Sequence, residues 1–458
     1  MKKYCNIEIF ETLFKVIYLI HIVSCGTNLL FSTLFTKITT TLVVGMALLI
    51  LLYRMVHVKK YLKTPYWYLY CIFLVSLIIT SAVNMKYGVR SNIKILIWMT
   101  IQFFCLCFFD GNRSMDSFQK EFNIVIWTTV ILSMFFNAIS IYMLFTFHSS
   151  FRYLSKTDAF LIGYAPWGRL YGAYIDPNYS SVFSTVALLS GFYLLISKKN
   201  ILSNPQKWLI RIANVLSFLY ITFGASRTAM VVLCVGAFSF LAQLVYIYRK
   251  SIWKAMLAGL VAAVMVTGAG KMTVVAFNGY SHLVSSLCTN GEEKDKETIK
   301  KIGRDAELTG DISNRRFSIW KDAIAIAEKN PVFGISFGNI DSYAEAEMPN
   351  AYIINNDFAA FNAFHNMFFD LAACQGIVGI ISFGLIVVLS LVYAYRKRKI
   401  MDANDQVTWA FLFTGCLIIF CAGFFVSLVL YVHNLDTVLF WMLWGYFLWF
   451  NKNVKVPC

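Results

Sequence analysis

What this sequence lacks is charge within its long apolar stretches: only 14% of its 458 residues are Asp, Glu, Lys or Arg, while 59% are hydrophobic. Soluble globular domains are usually about 45–50% apolar, so the composition excludes an ordinary soluble fold. Proline is scarce. All seven (Pro65, Pro166, Pro177, Pro205, Pro331, Pro349 and Pro457) fall in loops or at the starts of apolar stretches. No helix interior is broken and no repeat relates the two halves, which argues against the broken-helix plan of many secondary transporters. Most of the eleven cysteines sit in apolar stretches, and only Cys288 lies well inside a polar segment. That excludes a disulfide framework, and no Cys or His spacing suits a metal. A P-loop, HExxH and the Asp-x-Asp that holds a metal on a nucleotide diphosphate are all missing. Glu8, Glu11 and Lys15 interrupt the first apolar stretch, so no cleavable signal peptide is expected there.

What is present is a series of stretches long enough to cross a hydrocarbon core, which takes about 20 apolar residues each. Twelve are found, centred near Leu19, Gly45, Leu74, Met99, Thr128, Leu188, Leu216, Gly236, Val261, Ile380, Leu417 and Leu443. The expected fold is an all-α polytopic membrane protein with about twelve transmembrane helices and one large external loop containing short helices. Nine helices are expected in residues 1–276, the loop in 277–364, and three helices in 365–458. The formal charge of +16 is unevenly distributed: alternate loops and the two ends hold 21 Lys and Arg, the other short loops eight. By the positive-inside rule this puts both termini in the cytoplasm and the large loop outside. The basic balance is therefore topology and not a nucleic-acid footprint.

Within the insert, Gly279–Thr309 is polar and reads as a solvated segment. From Ile312 the pattern changes. Ser313 or Asn314 can cap a helix whose apolar positions Phe317, Trp320, Ile324 and Ala327 follow helical spacing, and Asn330-Pro331 with Gly334 stop it. Such a helix can lie along the membrane with Trp320 near the headgroups.

Four groups are candidates for chemistry. Arg227, in Ala225-Ser-Arg-Thr-Ala229, offers a rigid fork of donors to phosphate oxygens, though an isolated interfacial arginine fits the same position. Arg315 and Arg316 precede Trp320, and Arg316 lies one helical turn before it. A phosphate grip with Trp320 against a sugar fits that spacing, and so does a solvated helix start. His365 can accept a proton near neutrality, with Asn366 on a sugar or orienting the ring, yet a lone histidine there is also an ordinary interfacial residue. Asp370 lies about 140° around a helix from His365, so it is not assigned as its orienting carboxylate. In Arg169-Leu-Tyr-Gly-Ala-Tyr174-Ile-Asp176-Pro-Asn178, capping explains Asp176 and Pro177, leaving Arg169, Tyr174 and Asn178 for contacts with a glycan.

Taken in order, Gly172-x-x-x-Asp176-Pro177-Asn178, Ser226-Arg227, Arg316-x-x-x-Trp320, Asn330-Pro-Val-Phe-Gly334-Ile-Ser-Phe-Gly338, His365-Asn366 and Gly376-Ile-Val-Gly379 resemble the O-antigen ligase / Wzy polymerase family. Two positions depart from the family pattern: Ser336 stands where Gly is commoner, and Gln375 precedes the usual small turn. The resemblance implies a glycosyltransferase of the GT-C class in the bacterial cytoplasmic membrane, needing neither metal nor cofactor. Its donor and acceptor would be undecaprenyl-diphosphate-linked oligosaccharides, with a flippase and a chain-length regulator as further partners. Arg227 and Arg316 would then bind the diphosphate, and His365 would be the general base. The expected activity is polymerisation of repeat units for a capsule, exopolysaccharide or O-antigen. The alternatives are a ligase that moves the glycan to a core lipid or protein, and a flippase.

Overall fold

The computed structural model describes residues 5–155, 159–288, 301–303, 315–356 and 361–454. Each of the twelve apolar stretches falls in a helix. The chain begins with α1 (Cys5–Cys25), α2 (Leu34–Val56), a short α3 (Val58–Tyr61), α4 (Trp67–Val83), α5 (Arg90–Ile101) and α6 (Met115–Phe145). After three strands come α7 (Pro177–Ser197), α8 (Asn204–Phe223), α9 (Arg227–Arg249) and α10 (Ile252–Cys288). The insert contributes α11 (Arg316–Lys329) and α12 (Ile340–Glu347), and α13 (Met367–Arg398), α14 (Ala403–Ala422) and α15 (Leu435–Asn453) complete the order.

Seven of these helices, α2, α6, α7, α9, α10, α13 and α14, are long and apolar enough to cross a membrane. Among the described residues the expected twelve are not reached on length and composition, and the other helices show why. α1 carries Glu8, Glu11 and Lys15. α4 has 17 residues, and α5 gives way after Ile101 to a π-helical turn, Gln102–Cys107. α8 carries Lys207 and Arg211, and α15 holds Asp436 and Lys452. α10 continues to Cys288, past the loop boundary expected at residue 277. The all-α expectation also meets an exception. Strands β1 (Ser149–Tyr153), β2 (Ala159–Ala165) and β3 (Arg169–Gly172) form an antiparallel sheet in that order. A register shift at Gly163/Tyr164 interrupts the β2–β3 pairing, and short irregular strands of this kind have little period-2 signal to read.

The chain forms two compact units, one from Met1–Phe14, Val44–Lys120 and Asp311–Cys458, the other from Lys15–Val43 and Glu121–Gly310. In the first, a break in α13 organises the packing. Gly376 has φ 58° and ψ −155°, so the helical ladder is interrupted there. The carbonyls of Ala373 and Cys374 accept instead from the amides of Ile335 (3.0 Å) and Ser336 (2.9 Å). The amides of Ile377 and Val378 donate to Pro331 (2.8 Å) and Val332 (3.3 Å). Four inter-segment bonds thus replace the interrupted helical ones, as buried backbone groups require. The approach is close enough to demand glycine twice. A Cβ on Gly334 (φ +65°) would stand 2.4 Å from the Cys374 carbonyl carbon, and one on Gly376 would stand 2.6 Å from the Pro331 oxygen.

The far side of the Pro331–Gly338 segment is held by side chains. Thr80 of α4 donates to the Phe333 carbonyl at 2.7 Å, and Asn84 donates to Gly334 at 3.0 Å. Asn92 of α5 accepts from the Ser336 hydroxyl (2.7 Å) and the Gly338 amide (2.9 Å). Ser336 has φ 67°, a left-handed backbone that favours glycine.

Each unit also buries an ion pair. In the first, Glu11 accepts from Arg54 at 2.7 and 3.1 Å, and Arg54 donates as well to the Phe108 carbonyl at 2.8 Å. In the second, Lys15 Nζ lies 2.5 Å from Glu121 Oε1, with neither side chain exposed. Breaking a buried pair from one side leaves an uncompensated charge and typically costs about 3–5 kcal/mol, whereas replacing both partners with apolar groups is often neutral. Lys15→Met is therefore expected to lower the melting temperature in detergent markedly, and Lys15→Met with Glu121→Met to recover most of it. A single variant as stable as wild type would contradict this reading of the pair.

Candidate active site

In the first unit, α11 and the opening of α13 run side by side. One end of the pair is fixed by the exchange around Gly376, the other by Trp320. Its indole nitrogen donates to the Phe364 carbonyl at 3.0 Å, and its ring stacks on Phe369 at 5.1 Å. Asp370 accepts from the Phe364 amide at 2.9 Å, so the residue before the histidine is held from both sides. His365 follows with φ 50°. Asn366 then caps α13, accepting from the amides of Phe368 (2.9 Å) and Phe369 (3.4 Å) and donating to the Phe424 carbonyl at 2.9 Å.

His365 is half-buried, with Phe361 edge-on to its ring at 5.8 Å. Its pKa is lowered to about 4, first by burial and then by the positive charge of Arg316. The imidazole is therefore neutral near pH 7, with a lone pair available. Arg316 is the first residue of α11 and Arg315 precedes it in a left-handed conformation (φ 66°). The expected caps Ser313 and Asn314 lie outside the described residues. α11 does form, but the face it buries is Ile319, Ala323 and Ile326, while Phe317 and Ile324 of the expected stripe are 62% and 45% exposed.

In the second unit, a chain of polar contacts leads to Arg227. Arg169, on β3, donates from Nε to the Gly224 carbonyl (3.1 Å) and from Nη2 to Asn178 Oδ1 (3.1 Å). The same Asn178 oxygen accepts from the Ser226 hydroxyl at 2.9 Å. Ser226 caps α9, accepting from the Ala229 amide at 3.2 Å. Arg227 is the first residue of that helix. Asp176 caps α7 with Pro177 in its first turn, as the sequence leads one to expect. Tyr174 is fully buried. It donates to Asn137 Oδ1 at 3.0 Å and its ring lies 4.9 Å from that of Tyr220.

Four of the residues expected to contact substrate thus have partners within the protein. Tyr174 and Asn366 engage their polar groups inside the protein, and Arg169 and the Asn178 oxygen brace the turn before Arg227. Sequence reasoning missed Ser226 as the link in that brace. It set Asp370 aside as a partner for the imidazole, and Asp370 holds the neighbouring backbone instead.

Residues 212–384 match the O-antigen ligase family model (Wzy_C). This stretch is an O-antigen ligase family domain. It contains Arg227, Arg315, Arg316, Trp320, His365 and Asn366, whereas Arg169, Tyr174 and Asn178 precede it. No curated protein matches the chain significantly. Members of the family are glycosyltransferase-like membrane enzymes, and the domain supports an O-antigen ligase- or polymerase-like function.

Within the family domain, Arg227 and Arg316 each begin a helix. A helix N-terminus carries about half a positive charge and unpaired amides, which repel a cation and attract an anion. Arginine in that position adds to the local positive potential, an arrangement suited to a phosphate group. If Arg316 acts on His365 through its charge, Arg316→Gln raises the His365 midpoint from about 4 while burial keeps it below the ordinary 6.5. The check is the pH dependence of His365 modification by diethyl pyrocarbonate, followed by mass spectrometry of its peptide. An unmoved midpoint would remove the electrostatic link.

Proposed function

We propose that this chain is a polymerase that joins undecaprenyl-diphosphate-linked oligosaccharide repeats into a surface polysaccharide. The reaction would take place at the outer face of the bacterial cytoplasmic membrane. What carries the reading is the placement of the family domain's arginines at helix starts, together with a neutral imidazole beside one of them. A glycosyl diphosphate already has a good leaving group, so its departure needs charge neutralisation more than protonation. Guanidinium groups and helix amides supply that as negative charge develops.

In the proposed step, an acceptor sugar hydroxyl attacks the anomeric carbon on the face opposite the diphosphate. The new C–O bond forms as the bond to the diphosphate oxygen breaks, inverting the centre, and His365 takes the hydroxyl proton. The undecaprenyl diphosphate leaves with the electron pair, its charge balanced by Arg316, and Arg227 is the corresponding candidate of the other unit. A diphosphate next to Arg316 also offsets the charge that holds the imidazole pKa down, which makes His365 a stronger base when substrate is bound. In this scheme the arginines take the place of a divalent cation.

The uneven distribution of Lys and Arg supports cytoplasmic termini and an outer location for residues 277–364. A ligase is the second reading, favoured by the description of the matching family. The two separate on a gel of lipid-linked glycans from cells carrying wild type or variants. Polymerase action predicts a ladder that collapses to one repeat in His365→Ala, with transfer reduced about 10²–10⁴-fold, and in Arg227→Ala. An intact lipid-linked ladder that fails to reach its core lipid or protein would indicate a ligase. Unchanged glycans in both variants would refute the transfer reading altogether.

A further inference from the structure

The break at Gly376 leaves the opening of α13, Met367–Gln375, as a nine-residue helix with His365 just before its start. Its contacts with the loop between α14 and α15 include the Ser427 side chain against Asp370 in its middle and hydrogen bonds at both of its ends. At the first, the Met367 amide donates to the Gly423 carbonyl at 2.8 Å, and Asn366 donates to Phe424 at 2.9 Å. At the second, Tyr431 donates its hydroxyl to Gln375 Oε1 at 2.7 Å. Gln375 is fully buried, and its amide nitrogen donates to the Phe73 carbonyl of α4 at 2.9 Å.

The backbone that presents Tyr431 is itself held in an unfavourable form. Val429 and Tyr431 have φ of 69° and 62°. Each is the centre of a three-residue turn, closed by Leu430 N to Leu428 O (2.8 Å) and by Val432 N to Leu430 O (2.7 Å). Such positive-φ γ-turns are rare and strained, and for β-branched Val429 this conformation is an outlier. It is fixed from α15. The Val429 amide donates to the Thr437 hydroxyl at 3.0 Å, and the Trp441 indole donates to the Val429 carbonyl at 2.8 Å. The Tyr431 ring is stacked on Phe337, 5.3 Å away and 19° from parallel, in the segment that docks at the break. Strain that persists does so because its surroundings over-determine it, and here the result is one hydroxyl aimed at one glutamine.

We propose that Tyr431 is a positioning residue for His365, acting through Gln375 and the short helix Met367–Gln375. Irregular backbone is tolerated at membrane depth where protein buries it, and Ser427–Tyr431 are all buried. The loop therefore works as a two-point clamp. Gly423 and Phe424 grip the helix start, Tyr431 grips its end, and together they set the axial position and burial of the histidine turn. Gln375, which immediately precedes the break at Gly376, is the acceptor that the clamp requires.

The inference rests on His365 being the reactive imidazole, yet its test does not depend on transfer. Tyr431→Phe keeps the ring and removes the hydrogen bond. The expected result is faster modification of His365 by diethyl pyrocarbonate and a titration midpoint above about 4. In membranes supplied with lipid-linked saccharide extracted from cells lacking this chain, kcat is expected to fall by about ten- to a hundredfold with KM little changed, as misplacement of a reacting group does. Gln375→Met should reproduce the shift, and the double variant should go no further than either change alone. This second variant decides the question if Tyr431→Phe does not fold. A His365 titration unaltered in folded Tyr431→Phe or Gln375→Met would overturn the proposal. A wild-type chain inactive on the lipid extract would count against the transfer reading and leave the titration result to stand by itself.

Discussion

The exchange of backbone hydrogen bonds between Pro331–Ser336 and the break in α13 is the constraint on which the first unit depends. A helix that loses its ladder inside an apolar environment leaves carbonyls and amides that water cannot reach, and each such group is costly. Here Ala373, Cys374, Ile377 and Val378 find partners in a segment more than thirty residues earlier in the chain. That segment follows α11 directly, so satisfying the break also fixes the end of the helix that begins with Arg316. Trp320 ties the other end to Phe364. The relation between guanidinium and imidazole is thus set by backbone bonds at one end of a helix pair and an indole at the other.

The second unit reaches the same kind of result by other means. There Arg169 and Asn178 hold Gly224 and Ser226, and the capped turn they secure delivers Arg227 to the start of α9. In both units an arginine stands where the helix field disfavours a cation, and polar or backbone contacts fix the turn that presents it. Positive potential concentrated in this way is useful toward an anion that arrives and then gains charge, which is the situation of a departing lipid diphosphate.

Much of this was legible in the sequence, and the rest was hidden for physical reasons. Apolar stretch length placed the helices, and the order of short motifs from Ser226-Arg227 to Gly376-Ile-Val-Gly379 identified the family whose match spans residues 212–384. Periodicity could not choose the buried face of α11. Apolar residues occur on two faces, and packing against α13 selects Ile319, Ala323 and Ile326 over Phe317 and Ile324. Nor do local patterns disclose partners distant in sequence. Tyr174 reads as a stacking residue until Asn137 and Tyr220 enclose it, and Lys15 reads as an interruption until Glu121 neutralises it. Ser336 likewise gives no local sign of its left-handed backbone or of its hydrogen bond to Asn92, far away in the chain.

The central proposal is that an arginine at a helix start, Arg316 in the first unit and, taken separately, Arg227 in the second, recognises a lipid diphosphate, while His365 serves the chemistry rather than the grip. Equilibrium binding of undecaprenyl diphosphate to the purified protein in detergent tests it most directly. The account predicts saturable binding that weakens by about tenfold or more in Arg227→Ala and in Arg316→Ala, the loss of a charge-assisted contact of about 1.5–3 kcal/mol. Binding in His365→Ala should stay close to wild type. Undiminished binding in both arginine variants would contradict the account.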